Sequence, residues 1–257
     1  MVRATIVYSL AAIVAAVAAY YAIFTVFATY DDEGTLLVTL KAFAHGETLY
    51  RNIYSEYGPF YYELFGGLFA VTGKAVTTDA SRTIVVFVWV SSSLLFGITA
   101  HRLTRSLALG LVGMGAAFSA LYVLASEPMH PQGLCVLIFA GVALLLVLGP
   151  GGRAGWMGCA CGALLGALLM TKVNLGAFAI AGVALAAVLT IPWLARRRWL
   201  VWPIVGAYLA LPLAVMARNL NEGWVRELIF IVTLAMASLV VGGGAPPPRP
   251  PPDGRRE

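Results

Sequence analysis

Ala4–Thr29 reads ATIVYSLAAIVAAVAAYYAIFTVFAT, a run without a single charged residue. As a helix rising about 1.5 Å per residue it is long enough to cross the roughly 30 Å hydrocarbon core of a bilayer. Charge-free runs recur at Thr83–Ala100, Ser106–Ser126, Pro131–Gly149, Ala154–Thr171, Val173–Ala195, Trp199–Ala217 and Leu228–Val241. None shows the short alternating strands of a barrel, so their backbone groups must be satisfied within helices. The sequence therefore predicts an all-α, polytopic membrane protein with about eight transmembrane helices. Composition agrees. Of 257 residues, 60% are hydrophobic and 11% charged, against about 25% charged in soluble domains. The net charge of +5 is dispersed through short loops, which excludes a polyanion-binding groove and hence nucleic acid as a partner.

The first run is longer than the about 7 to 15 apolar residues of a cleaved signal, so it reads as an uncleaved signal anchor. An N-terminus in the cytoplasm places Arg3, Arg102, Arg105, Arg153, Arg196, Arg197, Arg198, Arg249, Arg255 and Arg256 inside, ten of the seventeen Lys and Arg, as basic inner loops require. Ten of the twelve acids then fall outside. The expected location is a multi-pass protein of the cell membrane with an extracytoplasmic active face. Residues 30–82 form its long external loop, in which Thr35–His45 and Tyr57–Thr72 are apolar enough to be juxtamembrane helices, the second opened by Gly58-Pro59. The transmembrane domain covers residues 1–241. Residues 242–257, rich in Gly and Pro, predict a disordered cytoplasmic tail. Cys135, Cys159 and Cys161 lie inside apolar runs and read as small core residues.

Several polar groups stand out against this apolar background. Asp31-Asp32-Glu33-Gly34 places three acids directly after the first run. Their mutual repulsion favours a proton acceptor or a cation site; a solvated helix start, capped by Asp31 or Asp32, uses the same residues. Lys172 lies between two apolar runs that meet at Thr171-Lys172-Val173-Asn174 with almost no loop. A lysine there must snorkel to the interface or face a wet cavity. Ser126-Glu127-Pro128-Met129-His130-Pro131-Gln132 is a second short outer loop. Glu127 and His130 are candidates to hold an acceptor, a donor phosphate or a divalent cation, but two such ligands are too few to specify a metal, and a plain Pro-bounded turn remains open. Tyr50, Tyr54, Tyr57, Tyr61 and Tyr62 read first as interfacial anchors and second as a surface for sugar or a prenyl chain.

The order of these groups carries a resemblance. Asp31-Asp32-Glu33-Gly34 is followed by Gly46-Glu47-Thr48-Leu49-Tyr50-Arg51-Asn52, by Tyr57-Gly58-Pro59-Phe60-Tyr61-Tyr62, and more distantly by Lys172-Val173-Asn174-Leu175-Gly176. This series resembles the acid cluster, G-x-x-x-Y-[RK]-[DN] segment, Y-G-P-x-Y-Y stretch and K-x-N-x-G of GT-C glycosyltransferases, in particular the bacterial protein-mannosyltransferase-like and lipopolysaccharide sugar-transferase-like branches. It is specific over Asp31–Arg82 and extends elsewhere only as topology. It implies transfer of a sugar from a polyprenyl-phosphate donor to a hydroxyl of a lipid, glycan or protein acceptor among membrane lipids, with inversion.

Under that resemblance Asp32 is the general base, Asp31 the second choice, and Glu33 orients base or acceptor. Lys172 is the foremost cation for the lipid phosphate, with Arg51 and Arg82 behind it, and Tyr57, Tyr61, Glu127, His130 and Asn174 complete the binding set. No cofactor is firmly implied beyond a possible divalent cation. The chain has fewer spans than is usual in that group, which leaves two alternatives open: a truncated, non-catalytic lipid-binding relative, and a multispan transporter or flippase using the same charged residues.

Overall fold

A computed structural model describes residues 2–26, 33–149, 154–190, 193 and 197–243. The described chain is helical, with α1 Val2–Thr25, α2 Glu33–Ala44, α3 Pro59–Thr72, α4 Thr78–Thr104, α5 Leu107–Tyr122, α6 Pro131–Leu148, α7 Ala154–Thr171, α8 Val173–Thr190, α9 Arg198–Met216 and α10 Gly223–Gly243. Every predicted run carries a helix, and both predicted juxtamembrane segments do too. Among the described residues four helices are long and apolar enough to cross a membrane: α1, α4, α6, and α9 with the short turn after it. α5, α7 and α8 are shorter apolar helices, and α10 carries Arg226 and Glu227 in its first turns. Length and composition thus support a helical, membrane-embedded protein with four candidate spans among the described residues.

Local chemistry sets the helix ends. Gly58 precedes Pro59 at the first position of α3, and Gly73 closes that helix in the left-handed conformation at φ 64°, the usual division between the two residues. Thr77 caps α4 by accepting the Ala80 N–H. This cap starts α4 five residues before the predicted Thr83 and brings Arg82 into the helix. Ser106 caps α5 through the Leu109 N–H. α5 stops at Tyr122, short of the predicted Ser126, because the chain enters tight turns in which Leu124 and Ala125 donate to the carbonyls of Leu121 and Tyr122. α10 continues through Gly243, so the predicted tail begins inside a helix; residues 244–257 lie outside the described residues.

Two compact units divide the chain, residues 1–177 and 178–257. Within the first, α4 packs on α1, α5 and α6, while α7 packs on α6 and α3, and α2 on α3. α4 and α5 cross almost backbone to backbone: a Cβ on Gly97 would lie 3.0 Å from the Gly110 carbonyl oxygen and 2.9 Å from the Met114 Cβ. Lipid supplies no hydrophobic drive between helices, so such close approach of small residues is what binds them. Tyr8 of α1 seals the crossing by donating to the Gly97 carbonyl at 3.0 Å. Within the second unit α9, which contains Pro203 and Pro212, packs on α10. Of the cysteines, Cys135 is buried as expected, whereas Cys159 is exposed on α7. An apolar residue on a helix in lipid has no need to face inward, and that is where the core reading of Cys159 fails.

Candidate functional site

Three sequence-distant segments meet where α3 begins. The backbone N–H of Gly58 donates to the carbonyl of Thr171, the last residue of α7, at 2.9 Å. The approach is so close that any Cβ on Gly58 would collide with the Met170 carbonyl. One residue before this contact, the Tyr57 hydroxyl lies 3.1 Å from His130 Nε2, and the two rings meet edge to face at 5.7 Å. The Lys172 ammonium stands 5.9 Å from the centre of the Tyr57 ring, within reach of its π face. Tyr57, His130 and Lys172, each singled out from the sequence, therefore form one cluster.

The local fold fixes each member. His130 ends the turn that follows α5 and caps α6: its Nδ1 accepts the Gln132 N–H at 3.2 Å. A ring nitrogen that accepts carries no proton, so the neutral ring bears its hydrogen on Nε2 and donates it to the Tyr57 oxygen. Lys172 is the single residue between α7 and α8. Gly176, in the first turn of α8, has no side chain to collide with the Leu169 backbone, which explains how the chain turns at a junction that the sequence leaves almost without a loop. Lys172 is half-buried. Among the described residues no carboxylate lies within ion-pair distance of its ammonium.

Tyr61 and Tyr62 lie beneath the cluster, fully buried. The Tyr61 hydroxyl donates to the Met129 carbonyl at 2.9 Å, and that of Tyr62 pairs with Ser55 at 2.9 Å. Burial pushes the Tyr61 phenol far above its ordinary pKa of 10.0, with Tyr62 and Tyr57 adding to the effect. A raised pKa stabilises the fold while the group is neutral, and this contribution is lost as pH climbs beyond about 10, where the unfolded phenol ionises. Tyr61→Phe is expected to cost about 1 to 3 kcal/mol near neutral pH, because the Met129 carbonyl is left without that donor. It should also flatten the alkaline limb of a stability profile measured by thermal unfolding from pH 8 to 11; an unchanged profile would count against Tyr61 as its origin.

A second constellation surrounds Glu33. Arg82 donates from Nε to Glu33 Oε1 at 2.9 Å, from Nη2 to Oε2 at 2.6 Å, and from Nη1 to the Ile23 carbonyl at 2.8 Å. Glu33 is 4% and Arg82 2% exposed. One guanidinium thereby ties the end of α1 and the start of α2 to α4. Glu33 and Arg82 thus hold each other, in a place where the sequence reading has Glu33 orienting a base or acceptor and Arg82 binding phosphate. Asp31 and Asp32 lie outside the described residues.

The remaining candidates are more scattered. Arg51 is exposed in the turn Gly46–Ile53, in which Thr48 accepts the Asn52 N–H at 3.0 Å and Tyr50 takes a left-handed backbone at φ 66°. The Tyr50 hydroxyl reaches the Tyr57 carbonyl at 2.8 Å, linking that turn to the cluster. Glu127 is half-buried on the turn that carries His130, and its carbonyl accepts the His130 N–H. Asn174 is exposed and accepts the Leu175 N–H. Among the described residues no three His, Cys, Asp or Glu side chains gather as metal ligands. Sequence reasoning missed Ser55, Met129 and Thr171, which act largely through backbone carbonyls or a local turn and have no side-chain signature. No family model matches the chain, and neither a curated protein nor a solved structure matches it.

Proposed function

We propose that the chain is a membrane glycosyltransferase that moves a sugar from a polyprenyl-phosphate donor to an acceptor hydroxyl at the extracytoplasmic face of the cell membrane, within a bundle of about eight spans. The observation that carries this reading is the meeting of the Tyr57-Gly58-Pro59, Met129-His130-Pro131 and Lys172-Val173-Asn174 segments at one point, with a half-buried ammonium over an aromatic ring. In the proposed step the acceptor oxygen attacks the anomeric carbon, the bond from that carbon to the phosphate oxygen breaks, and the acceptor proton passes to Asp32. Negative charge accumulates on the departing lipid phosphate, and a fixed cation stabilises it most where water is scarce. Lys172 supplies that cation. Tyr57 and His130 hold the wall against which the phosphate rests.

Purified protein in mild detergent, titrated with polyprenyl phosphate and followed by native mass spectrometry, tests the site. Binding by wild type that weakens about tenfold or more in Lys172→Ala is expected from the loss of one charge-assisted contact. Equal binding by both proteins would remove Lys172 from the donor site. Asp32→Asn should retain lipid binding and lose transfer; wild type that binds the lipid yet transfers no sugar to any acceptor would instead be a lipid-binding relative.

A further inference from the structure

A groove of about 750 Å³ runs between α1 and the C-terminal part of α4, a volume in the range of ligand sites, about 300 to 1,000 Å³. Ala12, Leu94 and Ile98 make its apolar wall, and His101, Arg102 and Arg105 line it as well. No Asp or Glu is among its described lining residues. Arg102 and Arg105 are exposed, and neither makes an ion pair with a described carboxylate. His101 stands against the Tyr8 ring at 6.1 Å, edge to face, with its Nδ1 buried and without a hydrogen-bond partner. A buried ring nitrogen without a partner is costly. Arg105 is held in place by its own backbone, which closes α4 in the left-handed conformation at φ 57° and donates to the His101 carbonyl.

Twenty residues separate Arg102 from Arg82 along α4, about 30 Å of helix. That matches the hydrocarbon thickness, so this groove lies at the opposite membrane boundary from the Glu33–Arg82 pair. A basic residue pair beside an apolar channel at that depth complements a molecule with an anionic head and a hydrocarbon tail. We propose that the α1/α4 groove is a binding site for an anionic phospholipid, with its phosphate against Arg102, Arg105 and His101 and one acyl chain along Ala12, Leu94 and Ile98. This site is separate from the donor site proposed above.

The full chain in neutral detergent, titrated with phosphatidylglycerol or phosphatidylcholine and read by native mass spectrometry, provides the test. Wild type should retain phosphatidylglycerol at least about tenfold more tightly than phosphatidylcholine, and R102Q/R105N should lose that preference, since each surface charge contributes about a factor of five. Asn is chosen at 105 because it tolerates the left-handed backbone. Ser9→Trp, which fills the groove and leaves both arginines in place, should weaken both lipids. Equal binding of the two lipids by wild type, a preference unchanged in R102Q/R105N, or undiminished binding by Ser9→Trp would overturn the site. Full competition by glycerol 3-phosphate would also overturn it, since an anion site without the hydrocarbon channel is then sufficient.

Discussion

Replacing Arg82 with Met is expected to destabilise the first unit by about 3 to 5 kcal/mol, the scale of breaking a buried ion pair from one side. The size follows from what remains. Glu33, 4% exposed, would be left buried without the three Arg82 contacts at 2.6 to 3.2 Å, and the Ile23 carbonyl would lose the donor at 2.8 Å. The companion variant Glu33→Leu/Arg82→Met removes both charges and should recover most of the loss, because a paired charge in a low-dielectric setting contributes little beyond a well-packed apolar pair. Unfolding in detergent of wild type, both single variants and the double variant completes the cycle. A loss below about 1 kcal/mol for Arg82→Met would mean that water reaches the pair and that it behaves as a surface bridge.

Gly58→Ala should be nearly as damaging, at about 3 kcal/mol, the upper end for forcing atoms into a filled site. Its added methyl would collide with the Met170 carbonyl, a backbone atom that cannot rotate away, so α3 must separate from the end of α7. Tyr57, His130 and Lys172 then part as well, and the same variant should lose polyprenyl-phosphate binding. Gly67→Ala is the control. Gly67 lies on the same helix with nothing within 4 Å of an added Cβ, and there Ala should stabilise by about 0.5 to 1 kcal/mol through helix propensity. Thermal unfolding of both variants decides the matter: similar melting temperatures would mean that the α3–α7 contact is loose.

The helices were legible in the sequence because a helix in hydrocarbon satisfies its own backbone, so absence of charge over some twenty residues is nearly the whole signal. The start of α3 was legible for the same local reason, with Gly58 and Pro59 as its punctuation. The sequence predicts Tyr61 and Tyr62 as interfacial anchors, and both are instead fully buried; composition reports that a Tyr is amphipathic and not which end it shows to water. The Glu33–Arg82 pair joins residues 49 positions apart, a relation that no local spacing encodes. His130 was visible as a polar residue before a proline, yet its double bonding, to Gln132 and to Tyr57, depends on where α3 arrives. Helix length among the described residues supports four of the eight expected spans, and a charge-free run does not reveal that α5 ends at Tyr122.

The backbone-to-backbone crossing of α4 with α5 also has a mechanical consequence. Helices that approach this closely at Gly97 and Gly110 leave little room to slide past each other. In a bilayer thinner than its apolar length a helix such as α4 accommodates by tilting, and α5 would tilt with it. The two helices thus answer a change in lipid length as one rigid pair and not singly.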